Sequence, residues 1–109
     1  MTQSQAIDRR LLIEIVRRIR EAAEPQKIIL FGSRARGEGR ADSDLDLLIV
    51  TDTNLPRHKR SLPYYRALAG LGIAKDIVVY TPAEVEDWQT ASCSLVATAL
   101  REGLVLYEN

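Results

Sequence analysis

The first half of the chain changes from a helical to a strand-like pattern of apolar residues. Between residues 4 and 23, apolar side chains recur every three to five positions with Arg and Glu between them, which predicts an amphipathic helix ending before Pro25. The segment KIILF, Lys27–Phe31, is short, rich in branched residues and bounded by a turn, so it predicts a buried strand. DLDLLIV, residues 44–50, predicts a second strand after a loop over residues 32–43.

The middle of the chain continues with a loop, a helix and a strand. Residues 51–62 are polar and predict a loop, and we interpret the RHKR sequence at residues 57–60 as a solvated basic segment. Residues 63–71 carry apolar side chains at helical spacing before two glycines, which predicts a short helix. KDIVVY, Lys75–Tyr80, has the composition of a third strand.

The last third predicts two helices and a strand. Thr81 and Glu84 have the spacing of a capping box with proline at the first helical position, so a helix begins there. Residues 94–102 predict a further helix and residues 104–107 a last strand. This order predicts an α/β (α+β) fold, a small mixed β-sheet with helices packed on it, and we expect residues 1–109 to form a single domain.

Composition narrows the functional classes. Fifteen basic and fifteen acidic residues cancel, which argues against a broad surface for direct nucleic-acid binding. No signal peptide or membrane span is recognisable, and the single cysteine, Cys93, fits a reducing compartment. We therefore expect a cytoplasmic protein that does not contact a membrane.

Candidate chemistry lies at the heads of the second and third strands. Side chains alternate along a strand, so Asp44 and Asp46 share a face with Cα atoms about 6–7 Å apart. Such carboxylates raise each other's pKa unless a cation lies between them, and Mg²⁺ accepts one or two carboxylates together with phosphate oxygens. Asp76 heads the third strand and is the candidate third ligand. Three carboxylates could hold two ions about 3.5–4 Å apart, as in nucleotidyl transfer.

The loop before the second strand supplies groups that bind anions. Gly32 and Ser33 follow the first strand directly, where backbone N–H groups and a hydroxyl can donate to a phosphate. Arg34, Arg36 and Arg40 add positive charge beside them. Each feature alone has an ordinary explanation, as a turn, a solvated loop or an exposed strand position. Together they provide both the cation ligands and the anion donors of a metal–triphosphate site.

The segment from the Gly-Ser turn to the end of the second strand resembles a family signature. GSRARGEGRADSDLDLLIV resembles the signature of the nucleotidyltransferase superfamily typified by DNA polymerase beta, a Gly-Ser pair followed by D-x-D. The Ala-Arg-Gly continuation and the Ser-Asp-x-Asp-Leu spacing are most similar to the minimal nucleotidyltransferase (MNT) antitoxins, which are commonly encoded beside a HEPN-domain toxin. KDIVVYTPAEVEDW and ALREGLVLYE extend the resemblance over about residues 11–108.

The resemblance implies a role for each matching position. Gly32 and Ser33 would hold the outer phosphates of the nucleotide, with Arg36 as a further nucleotide-binding residue. Asp44 and Asp46 would bind the metal ions.

The resemblance also implies a reaction and a partner. Asp76 would complete the metal site and help to deprotonate the attacking hydroxyl. Family members use Mg²⁺ and ATP to attach AMP to a tyrosine of the HEPN toxin encoded nearby. It thus implies a protein adenylyltransferase that acts as an antitoxin and can form a hetero-oligomer with its toxin.

Two other functions remain open on the sequence. The chain could be a non-catalytic antitoxin that neutralises a toxin by direct binding. It could also transfer nucleotides to RNA or to a small molecule, although no further domain that would grip such an acceptor is recognisable in 109 residues.

Overall fold

The structure, a computed structural model, describes residues 9–35, 44–88 and 94–109. Its elements follow the predicted order, and a short 3₁₀ turn, Arg57–Lys59, interrupts the predicted loop. No helix within these ranges is both long and apolar enough to cross a membrane. The elements are α1 (Arg9–Ala22), β1 (Lys27–Phe31), β2 (Leu45–Val50), α2 (Leu62–Ala67), β3 (Lys75–Tyr80), α3 (Pro82–Trp88), α4 (Leu95–Glu102) and β4 (Leu104–Glu108).

Helix α2 is shorter than the sequence predicts, because it ends at Ala67 rather than near residue 71. The guanidinium of Arg18 on α1 donates to the carbonyl oxygens of Ala67 and Ala69, at 3.4 and 3.1 Å. These bonds satisfy carbonyl groups that a continuing helix would have used, so the chain can turn away after one and a half turns. Gly70 then adopts a φ of +89°.

The four strands form one mixed sheet in the order β3-β2-β1-β4. Strand β1 pairs antiparallel with both β2 and β4, whereas β2 and β3 are parallel. The predicted fold class, a small mixed sheet with helices packed on it, is confirmed.

Each face of the sheet buries its own apolar cluster, because alternate side chains of a strand point in opposite directions. On the first face, which α1 and α2 cover, the buried side chains include Leu47 and Ile49 of β2 and Ile77 of β3. On the second face, Leu48 and Val50 pack with side chains of α3 and α4. Strand β2 therefore lies between two helical layers, which explains its nearly unbroken apolar sequence.

Candidate active site

Asp46 and Asp76 lie side by side on the second face of the sheet. Each is the second residue of its strand, and the parallel pairing of β2 with β3 makes them register partners. Register partners in neighbouring strands have Cα atoms about 4.8 Å apart and side chains on the same face. The two carboxylates therefore occupy adjacent positions at one end of the sheet, where the apolar cluster of the second face stops.

Asp44 lies two residues before Asp46 but outside the strand. The sequence predicted that the strand begins at residue 44, whereas β2 begins at Leu45 and Asp44 is an exposed residue directly before it. The backbone of Asp44 is therefore not held by strand pairing, as that of Asp46 is. Its charge nevertheless acts on Asp46, as the electrostatics of the site demonstrate.

The pKa of Asp46 is raised above its ordinary value. Partial burial is the largest cause, followed by the charge of Asp76 and then by that of Asp44. All three causes disfavour the ionised form of Asp46, and a nearby cation would reverse them. This end of the sheet thus concentrates negative charge around a half-buried carboxylate.

The turn after β1 brings the backbone of Gly32 against the carboxylate of Asp46. Phe31, the residue before Gly32, is the register partner of Asp46. Gly32 has a φ of +81°, and a Cβ atom placed on it would lie 3.2 Å from the Cγ of Asp46 and closer still to Oδ2. Glycine is therefore required twice at this position, by the backbone conformation and by the space that Asp46 occupies.

The other predicted phosphate-binding residues belong to the same turn or follow it. The N–H of Ala35 donates to the carbonyl oxygen of Gly32 at 3.1 Å, which closes the turn, and Ser33 lies within it, half-buried. Arg36, Arg40 and Ser43 lie outside the described residues.

The donor set fits a divalent cation that arrives with a triphosphate. In the described part of the chain, no group of three or more His, Cys, Asp or Glu side chains is assembled as a metal site. Mg²⁺ does not need such a cage, because one or two carboxylates, waters and phosphate oxygens complete its octahedron. Asp46, with Asp76 beside it and Asp44 nearby, provides hard oxygen ligands whose mutual repulsion a cation would relieve.

Sequence reasoning missed one polar group at this site, the hydroxyl of Tyr65. Its Oη atom lies 3.5 Å from Oδ1 of Asp76 and accepts a hydrogen bond from the N–H of Ile77 at 2.9 Å. Helical spacing marks Tyr65 only as a member of α2. The contact depends on where α2 docks against β3, and no local pattern encodes that.

The interpretation of residues 57–60 as a solvated basic segment was wrong for Arg60. Its side chain is only 12% exposed, and it donates to Glu84 on α3 at 2.7 Å and to the carbonyl oxygen of Leu55 at 3.1 Å. Arg57 reaches the same carboxylate at 3.4 Å and lies over the ring of Tyr80. The segment has solvated residues, but these two arginines attach it to α3.

A cleft of about 460 Å³ lies away from the carboxylates, at the other end of β2. Its lining includes Val50, Val85 and Leu100, together with Lys27 and Glu108, which form an ion pair at 3.3 Å. None of the predicted site residues lines it. We therefore place the candidate site at the Asp46 end of the sheet and not in this cleft.

Comparison with protein-family profiles assigns most of the chain to one family. The profile of the nucleotidyltransferase domain matches residues 10–105, which include every predicted site residue. No curated protein matches the chain.

Solved structures of low sequence identity share the fold. A candidate nucleotidyltransferase from Sulfolobus solfataricus is 21% identical, with a TM-score of 0.64 over 98% of this chain and 86% of the other. A toxin–antitoxin structure with AMP-PNP is 22% identical, with a TM-score of 0.65 over 90% and 73% of the two chains. A tri-AMPylated Shewanella oneidensis HEPN toxin in complex with its MNT antitoxin matches at 20% identity, with a TM-score of 0.57 over 100% and 74%.

Proposed function

The chain belongs to the nucleotidyltransferase domain family, and from this premise we propose that it transfers AMP from ATP to a hydroxyl group of a HEPN-type toxin. The acceptor in this proposal is a tyrosine, and the modification silences the toxin, so the protein acts as an antitoxin. The dependence of the reaction on a divalent metal ion is part of the same proposal.

One observation carries the proposal, the register pairing of Asp46 with Asp76 beside the turn at Gly32. The pairing puts two carboxylates on one face, and the backbone of Gly32, which Ser33 follows in the turn, lies against Asp46. Because the cation ligands and the anion donors lie so close together, the site suits a nucleoside triphosphate that is bound through its phosphates. In such a site, catalysis consists mostly of positioning and charge neutralisation.

In the proposed reaction, the acceptor oxygen forms a bond to the α-phosphorus of ATP. The bond between that phosphorus and the oxygen bridging to the β-phosphate breaks, and pyrophosphate leaves. Asp76 accepts the proton of the hydroxyl, while Gly32, Ser33 and Arg36 hold the outer phosphates. The site would retain the triphosphate chain as the acceptor approaches from the open side of the sheet.

A divalent cation would be held by Asp46 together with Asp44 and Asp76. When bound, Mg²⁺ neutralises the charge of the phosphates and polarises the reacting phosphoryl group, and two ions would serve both the attacking and the leaving oxygen. The raised pKa of Asp46 supports this assignment, because its causes are the burial and the like charges that a cation would offset.

The class of the proposed partner is suggested by the solved structures that share the fold. One is described as an MNT antitoxin with a tri-AMPylated HEPN toxin, and another as a toxin–antitoxin structure with AMP-PNP. At about one fifth identity they support a partner of that class. The proposal adds that this partner is encoded nearby and forms a hetero-oligomer with the chain. The need for ATP would keep the reaction in the cytoplasm.

The test is to incubate the protein with labelled ATP, Mg²⁺ and a HEPN toxin encoded beside it, and to weigh the toxin by mass spectrometry. We expect the toxin to gain AMP, and the gain to disappear with Asp46→Asn or with EDTA. Asp52→Asn is the matched control, because Asp52 is an exposed aspartate just beyond the other end of β2. A toxin that is inhibited but unmodified would instead favour a non-catalytic antitoxin.

A further inference from the structure

We infer that Tyr65 is a positioning residue, which holds the carboxylate of Asp76 on the face of the sheet where Asp46 lies. The inference rests on the proposed function, because the position of Asp76 matters only if Asp76 and Asp46 serve one site. Tyr65 itself touches neither nucleotide nor acceptor in this inference.

Helix α2 is a rigid support for Tyr65. Tyr64, next to it on the helix, and Leu68, directly after the helix, are 2% and 1% exposed in the cluster on the first face. Arg18 on α1 ties the carbonyl groups at the end of α2, as described above. A side chain on a helix fixed by both packing and hydrogen bonds has little freedom to leave its place.

The hydroxyl of Tyr65 is fixed by the free edge of β3. Among the residues that the structure describes, β3 is at the edge of the sheet, and the N–H groups of alternate residues on an edge strand have no neighbouring strand to bond. Tyr65 Oη takes the place of that strand at Ile77, whose N–H donates to it at 2.9 Å. This bond occupies an acceptor site of the hydroxyl and leaves its hydrogen for another group.

That other group is the carboxylate of Asp76. Oη lies 3.5 Å from Oδ1 of Asp76, within reach of the hydroxyl hydrogen but long for a bond to a carboxylate. Asp76 is exposed and faces the like charge of Asp46, so repulsion and solvation would both favour turning it outwards. The hydroxyl, which the N–H of Ile77 fixes at the edge of β3, would limit that movement by tethering Oδ1 of Asp76 to one position.

The test is Tyr65→Phe, which removes the hydroxyl and keeps the ring. Loss of a hydrogen-bond partner of a metal ligand typically weakens metal binding 10- to 100-fold. We expect the affinity for the Mn²⁺ complex of a non-hydrolysable ATP analogue, measured by calorimetry, to fall about tenfold. The Mg²⁺ concentration for half-maximal AMP transfer should rise by a similar factor.

Two further variants separate positioning from general damage. Tyr64→Phe removes the neighbouring hydroxyl, which donates to the carbonyl oxygen of Ala23 at 3.3 Å, and should leave nucleotide binding unchanged. In an Asp76→Asn background, Tyr65→Phe should have no additional effect on binding, because the group it positions is already neutral.

The results distinguish this inference from the proposed function. Unchanged binding by Tyr65→Phe, or an equal loss in the Asp76→Asn background, would overturn the positioning role while AMP transfer by the wild-type protein stands. An AMP group found on Tyr65 itself would also overturn it, because the hydroxyl would then be an acceptor. A wild-type protein that neither binds the Mn²⁺ complex nor transfers AMP would overturn both.

Discussion

The two faces of the sheet use the same strands for different purposes. On the first face, β2 contributes Leu45, Leu47 and Ile49, and the apolar cluster reaches both ends of the strand under α1 and α2. On the second face, the apolar row of Leu48 and Val50 stops one position early, and Asp46 takes the next place.

This difference shows how so small a sheet can carry a charged site. The first face supplies continuous burial, which anchors the backbone of β2 on both sides of Asp46. The second face can therefore leave two carboxylates uncovered without losing the strand register that pairs them. The odd residues of β2 contribute only to the core, whereas the even residues provide both the core residues Leu48 and Val50 and the candidate site residue Asp46.

The largest effect on AMP transfer is expected from Asp46→Asn, on the second face. AMP transfer to the toxin should fall about 1,000-fold, because a lost metal ligand removes several kcal/mol of charge stabilisation in the transition state. The fold should become more stable in EDTA at pH 7. The raised pKa of Asp46 means that the ionised carboxylate destabilises the metal-free folded state, and this cost rises as pH increases above the ordinary value of 3.8.

Urea unfolding in EDTA at several pH values checks the second half of that prediction. The stability gain of Asp46→Asn should be present at neutral pH and absent near pH 3, where the carboxyl is protonated in both the folded and the unfolded chain. Asp52→Asn should show neither the loss of transfer nor the gain in stability. A destabilised Asp46→Asn protein would contradict the description of the site as a concentration of repelling charges.

On the first face, Leu47→Ala should have the opposite effect to Asp46→Asn: it should lower the stability of the fold and leave AMP transfer nearly unchanged. Leu47 is completely buried, so the cavity should cost about 2–5 kcal/mol of unfolding free energy. The rate of AMP transfer per folded molecule should stay close to that of the wild-type protein, because Leu47 points away from Asp46. Val105→Ala is the control, since Val105 is half-exposed on the edge strand β4. Loss of transfer in fully folded Leu47→Ala protein would mean that the two faces are coupled.

Much of this division was predictable from the sequence. The apolar strands β1 and β3 have the predicted bounds, and the alternation in β2 already assigned Leu47 and Asp46 to opposite faces. The capping box of α3 also forms, with Glu84 accepting from the N–H of Thr81 and donating its own N–H to Thr81. These features depend on residues a few positions apart, so local patterns contain them.

The contacts that complete the site depend on residues far apart in the chain. Tyr65 reaches Asp76 because α2 docks with this side chain against β3. Arg60 is buried in a contact with Glu84, which is 24 residues away in the sequence. The sequence predicted Gly32 as part of an anion-binding turn, whereas the crowding of this position by Asp46 follows from the register of β1 with β2.

A smaller effect is expected from Gly32→Ala, which places a Cβ atom in the space that the carboxylate of Asp46 occupies. A non-glycine residue at positive φ costs about 1–2 kcal/mol, and the overlap with Asp46 should add to this. We expect a loss of about 2–3 kcal/mol in unfolding free energy together with reduced AMP transfer, because Asp46 must move. Urea unfolding and the mass assay measure the two effects.

Gly70→Ala isolates the backbone part of that cost. Gly70 has a similar φ of +89°, but a Cβ atom there would meet nothing within 4 Å. It should lose about 1–2 kcal/mol and keep full transfer activity. Equal losses of stability and activity in the two variants would rule out crowding of Asp46 as the reason for glycine at residue 32.

The smallest effect is expected at α3, which ion pairs as well as apolar contacts attach to the second face. Helix α3 has no fully buried residue, and Glu84 attaches it to Arg60 and Arg57. The N–H of Thr81 and the two guanidinium groups lower the pKa of Glu84 from 4.5 to about 2. Glu84→Gln should therefore cost about 1–2 kcal/mol at pH 7, the range for a hydrogen bond to a charged group after allowance for partial exposure.

The pH dependence distinguishes this charge-based attachment from packing. A carboxyl whose pKa is lower in the folded state stabilises the fold above its unfolded value of 4.5, and the contribution disappears as pH falls towards 2. The difference in urea unfolding between wild type and Glu84→Gln should thus shrink steadily from pH 6 to pH 3, whereas the cost of Leu47→Ala should not. Glu86→Gln, at an exposed position of the same helix, should have little effect at any pH. If the Glu84→Gln difference were constant with pH, the shape of the Glu84 side chain rather than its charge would attach α3.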